Sequence, residues 1–161
     1  GSSPAVLKLF ASVEEGDGDE IEAALQAGAD INARIWDAKD PGQTALIRAV
    51  RYGLAPCVDL LLKSGADPYV ADDSFRDAWY YACFSRTVAD GDHKMLMSLL
   101  LSYWELELNV LLLAMHSSHS GVRYEVMNSL PVAVESRDSK NNCTLRFSNL
   151  GMLDSPDGVA I

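Results

Sequence analysis

The sequence predicts an all-α fold in which short helix–turn–helix units stack into a solenoid, with β-turn fingers between units and a short C-terminal β-hairpin. Three observations carry this reading. Gly28-Ala29-Asp30-Ile31-Asn32-Ala33 and Gly65-Ala66-Asp67-Pro68 are self-similar, and each closes a leucine- or alanine-rich helical run. A second glycine, Gly16 or Gly53, lies twelve positions upstream of each. A block of this size that recurs along a chain stacks on its neighbours instead of collapsing into one core.

Ser3-Pro4 starts the first helix, since serine caps and proline is pre-set for the first helical position. Val6, Leu7, Leu9, Phe10 and Val13 recur at helical spacing up to Glu15. Asp19 followed by Glu22 reads as a capping box for a second helix through Gln26, which Gly28 ends. Thr44 caps a helix running to Tyr52. Pro56 opens the next, with Val58, Leu61 and Leu62 on one face. Thr44 matches Leu7 at an offset of 37, so an enlarged finger is expected across residues 34–41.

In the third unit Asp77-Ala78-Trp79-Tyr80-Tyr81-Ala82 takes the place of Thr44-Ala45-Leu46-Ile47-Arg48-Ala49, a step of 33. Leu61 and Leu62 then match Leu100 and Leu101, six positions late, which predicts a longer loop over residues 87–92. A degenerate fourth unit has helices over 109–114 and 122–130. Beyond it, residues 132–135 and 144–148 alternate at period two and read as a hairpin, followed by an irregular tail.

The best copy of the repeat is Gly42-Gln43-Thr44-Ala45-Leu46-Ile47-Arg48-Ala49-Val50-Arg51-Tyr52-Gly53, running on to Leu61-Leu62-Lys63-Ser64-Gly65-Ala66-Asp67. It resembles the ankyrin repeat, whose pattern is G-x-T-P-L-H-x-A-A-x-x-G followed by L-L-x-x-G-A-D-x-N-A. The resemblance covers residues 5–101 clearly and 105–130 in degenerate form. The ankyrin-repeat region is thus 1–130, with units at about 4–33, 40–72, 73–104 and 105–130. Residues 131–161 form an atypical segment, expected to dock on the repeats or on a neighbouring chain.

Composition limits the functions open to the chain. Formal charge is −10, and residues 1–40 hold nine acids against three bases. That field repels phosphate backbones, so no direct nucleic-acid contact is expected; it suits a basic partner, or simply a solvated face. The most apolar window, 96–115, is broken by Ser98, Ser102, Glu105, Glu107 and Asn109, so no membrane span is expected. Cys57, Cys83 and Cys143 are odd in number and widely spaced. They point to buried thiols in a reducing compartment, cytoplasmic or nuclear.

Catalysis finds little support. No phosphate loop, nucleophile elbow or zinc-protease motif is present, and no cofactor is expected. His116 and His119 sit three apart without a thiolate or carboxylate between them, too weak a set for a metal site. His93 is expected at an exposed helix start.

The resemblance implies instead a protein-binding module that holds a partner protein or peptide on its fingers and the first helix of each unit. Carried over residue by residue, the contacts are Asp40, Pro41 and Gln43 in one finger and Asp73, Ser74 and Arg76 in the next. From the helix ends come Glu14 and Glu15, Arg51 and Tyr52, and Phe84 and Ser85. Phe75 stands where the family has the finger glycine. Trp36, in the enlarged finger, is either an exposed contact or a plug folded against the helices, and Phe84 is expected to be more buried than exposed. Alternatively, the chain is a scaffold segment whose residues 132–161 occupy its own groove or mediate self-association.

Overall fold

The structure, a computed structural model, describes residues 3–37 and 40–130 (side chains of 90 and 91 apart), and the backbone of 132–137, 143–147 and 159–160. Among the described residues eight helices fall into four pairs: α1 (Pro4–Glu15) with α2 (Gly18–Gln26), α3 (Ala45–Arg51) with α4 (Ala55–Lys63), α5 (Ala78–Phe84) with α6 (Asp90–Tyr103), and α7 (Leu108–Met115) with α8 (Ser120–Asn128). First helices pack on first helices, α1 on α3 on α5 on α7, and second on second, α2 on α4 on α6 on α8. This is the two-layer stacking of a solenoid.

Local chemistry sets the helix ends. The Ser3 hydroxyl accepts from the Val6 N–H, Thr44 from Ile47 and Asp77 from Tyr80, each satisfying a donor that the first turn leaves open. The cap of α2 is Asp17, not Asp19: its carboxylate accepts from the Glu20 N–H at 3.2 Å. Gly18 and Asp19 therefore already lie inside the helix.

The Gly-Ala-Asp endings are joints between units. Asp30 and Asp67 each accept the N–H two residues on, from Asn32 and Tyr69. The Asn32 side chain in turn accepts the Asp67 N–H at 2.9 Å, linking one ending to the next. In the third unit an aromatic joint replaces that hydrogen bond. Tyr69 packs between Trp79 (centroids 5.7 Å apart) and Trp104 (5.9 Å). Trp104 belongs to the Tyr103-Trp104-Glu105 string that stands where the ending would be. Aromatic contact thus compensates for the lost motif.

The delay in the third unit is taken up differently from the expectation. Residues 90–92 are helical, so α6 gains a turn at its start and the loop is only 85–89. His93 consequently lies inside α6 and is fully buried, not exposed. Its Nδ1–H donates to the Ala82 carbonyl at 2.7 Å, and its ring stacks on His119 at 3.7 Å.

Two small sheets complete the description. β1 (Arg34–Ile35) pairs antiparallel with β2 (Gln43–Thr44), forming the base of the first finger. The expected hairpin is present as β3 (Val132–Arg137) and β4 (Cys143–Phe147), antiparallel with an irregularity between Val134 and Ser136. β5 (Val159–Ala160) adds a third strand against β4, where an irregular tail was expected. The rest of that tail, and the side chains on which its docking would depend, lie outside the described residues.

Cys57 and Cys83 are buried free thiols. Burial pushes the Cys83 thiol up to about 12, and Asp77 adds to the effect; burial and Asp17 raise Cys57 as well. Because the thiolate is the nucleophile, both should resist alkylation at pH 8 in the native chain and react fully in urea. Mass mapping of iodoacetamide adducts checks this, and native labelling of Cys83 would contradict it.

Candidate functional site

The fingers are built alike, and glycine shows where they differ. Gly42 sits at φ +80, and a side chain there would run into the Arg34 guanidinium and the Asp73 carboxylate. Thirty-three residues on, Phe75 occupies the same place in the next finger with φ 61. An L-residue resists that conformation by about 1–2 kcal/mol. Asp72 is what enforces it. This buried carboxylate accepts the N–H groups of Ser74 and Arg76 through Oδ1 and the Tyr81 hydroxyl through Oδ2, while its carbonyl accepts the Phe75 N–H. Burial and the Asp72 bond push the Tyr81 phenol up to about 12, so it stays protonated and donating.

Neighbouring fingers are tied together. Trp36 donates its indole N–H to Asp73 Oδ2 at 2.9 Å, and Arg34 pairs with Asp73 Oδ1 while lying over the Trp36 ring at 5.0 Å. The Asp73 N–H donates to the Pro41 carbonyl. Trp36 is 62% exposed, so it does not plug the finger, and Phe75 projects almost fully, at 93%.

Residues 41–73 match the family model of the ankyrin repeat. The chain carries an ankyrin repeat, and its helix pairs stack as an ankyrin-like solenoid. No curated protein matches it significantly. Ankyrin repeats generally serve as protein-interaction modules. Among the described residues no cluster of His, Cys, Asp or Glu is placed to hold a metal, and no helix is long and apolar enough to cross a membrane. His116 spends Nδ1 on the Leu112 carbonyl of its own helix.

The ankyrin positions singled out in the sequence divide sharply. Trp36, Tyr52, Asp73, Ser74, Phe75 and Arg76 are exposed. Asp40 and Arg51 form an ion pair, and Arg51 also lies over the Tyr81 ring at 5.3 Å. Phe84 is half-buried against Tyr80. Glu14 is committed to Arg48 at 2.7 Å. Gln43 departs from these: it is 1% exposed, and its amide oxygen is buried without a hydrogen-bond partner among the described residues. It sits on β2 one residue before the cap of α3, and both residues of this short strand are buried. Ser85 is likewise buried.

Sequence reasoning missed Asp72, Tyr80 and Arg86. With Arg51, Arg76, Phe84 and Thr87, the last two line a cleft of about 370 Å³ beside α5. Only the polar run after α5 hinted at it. The buried Val88 anchors that run, and the Thr87 hydroxyl ties it down by donating to the Arg51 carbonyl.

Proposed function

We propose that the chain binds a segment of a partner protein on its fingers and first-helix layer, with Phe75 and Trp36 as central anchors. One observation carries this reading above the others. Phe75 bears two costs at once, a left-handed backbone and a nearly fully exposed ring. Strain that the surroundings enforce gathers at functional sites, and exposed aromatic side chains are typical interface anchors. A structural role would be better served by glycine, as Gly42 shows in the preceding finger.

The test separates stability from binding. Phe75→Gly should raise stability by about 0.5–1 kcal/mol, since relief of the left-handed strain outweighs glycine's extra unfolded freedom. The same change should weaken partner binding by about 2 kcal/mol, roughly thirtyfold. Phe75→Ala should lose the binding without the gain in stability. Urea denaturation and calorimetric titration of a partner captured on the native chain read both quantities. Full-strength binding by Phe75→Gly/Trp36→Ala would remove this face from consideration.

A further inference from the structure

The cleft beside α5 has a charge opposite to that of the chain. The whole sequence carries −10, yet Arg51, Arg76 and Arg86 all line this cleft, and among the described residues no carboxylate does. Two nearby acids are already engaged: Asp40 pairs with Arg51, and Asp72 is taken by Tyr81 and two backbone N–H groups. Arg76 and Arg86 are exposed, and neither forms an ion pair among the described residues.

Two of these guanidinium groups are also held in position. Arg76 lies over the Tyr80 ring at 4.9 Å and Arg51 over Tyr81 at 5.3 Å. Arg86 stands in the loop pinned by Ser85, Thr87 and Val88. Stacking on a ring restrains an arginine while leaving its donor fork free, so less freedom is lost when an anion arrives. A second cleft of about 470 Å³ shares Tyr80, Phe84, Ser85 and Arg86 with the first and continues to Ser118 and His119. The two make one groove along α5, with arginines at its edge and aromatic rings along its wall.

We propose that this groove binds an acidic segment of the partner, its anionic side chains on Arg76 and Arg86 and an apolar side chain against Tyr80 and Phe84. This rests on the partner-binding reading above and gives that partner its chemistry. It also reverses the expectation of a basic partner drawn from overall charge. The acidic excess of residues 1–40 acts across a screening length of about 8 Å at physiological salt, so adjacent guanidinium groups dominate inside the groove. Planar, two-pronged recognition of carboxylate or phosphate is what an arginine fork does best.

The experiment is a display selection of random dodecapeptides on the full chain. Enriched peptides should carry Asp or Glu beside an apolar residue. They should lose about tenfold in affinity to Arg76→Gln/Arg86→Gln, and weaken as salt is raised. Both arginines are exposed, so the double variant should fold, which its circular dichroism checks. Replacing the key glutamate by phosphoserine identifies the source of the anion: tighter binding assigns phosphate, weaker binding carboxylate, and either supports the groove. Enrichment without acidic residues, or no enrichment, overturns the proposal. Peptides that ignore the arginine pair but are lost on Trp36→Ala/Phe75→Ala overturn the acidic groove alone. Peptides indifferent to both pairs overturn the partner-binding face as well.

Discussion

Trp79→Ala is expected to destabilise the chain by about 4 kcal/mol and to lower its melting temperature by about 12 °C. Trp79 is the largest fully buried side chain among the described residues. In the second unit the same position is Leu46, so the layers around Trp79 have been built to a larger volume. Alanine would leave a cavity that helices clamped on both sides cannot close. It would also take away one wall of the Tyr69 joint, on which the third unit relies in place of the Asn32 link.

In a stack, stability is the sum of unit terms and interface terms. Weakening the joint should therefore uncouple α5–α8 from α1–α4 and split the urea transition in two. Trp79→Phe should cost only about 1 kcal/mol, because it keeps a six-membered ring in place and removes a buried N–H that has no partner among the described residues. Equal losses for the two variants, or one sharp transition for Trp79→Ala, would show that the joint is not where the units couple.

How much of this was legible follows from which interactions leave a local trace. Helix ends do: Ser3, Thr44, Gly16, Gly28 and Gly65 act within three or four residues, and sequence reasoning placed them. Asp17 was misassigned to Asp19 because both are acids ahead of the same helix. Interactions that join distant residues leave none. Nothing near Asp73 announces that Arg34 and Trp36 will meet it, and nothing near Asp72 announces Tyr81.

The site suffered most from this. Gln43 was carried over from the ankyrin finger pattern but sits inside, while Arg86, in the loop after α5, was not singled out at all. Overall charge is equally blind to position, since it averages over a molecule in which Arg51, Arg76 and Arg86 gather at one cleft. The glycine position at Phe75 was different. The motif flagged it, and only the structure showed that phenylalanine adopts the glycine conformation there.

Neutralising both acids around Arg48 should cost about 3 kcal/mol, more than removing the arginine itself. Arg48 reads as one more polar residue on α3, but its side chain is only 6% exposed, held by Glu14 from the first unit and Asp37 from the finger. Its guanidinium lies over the Phe10 ring at 5.2 Å. The acids themselves are 45% and 43% exposed. The asymmetry follows from solvent. Without Arg48 the carboxylates return to water, whereas without the carboxylates a group that cannot lose its proton stays buried and unpaired.

Glu14→Gln and Asp37→Asn should cost about 1 kcal/mol each when made singly, and more than their sum together, because either acid alone still neutralises the guanidinium. Arg48→Met keeps the packing on Phe10 and removes an Nε that has no partner among the described residues, so it should cost about 1 kcal/mol. Urea denaturation of the four variants checks the order. If Arg48→Met proves worse than the double variant, packing rather than charge holds the enlarged finger against the first unit. The position of Trp36 would then depend on Phe10 and the stem of Arg48, not on the pair of carboxylates.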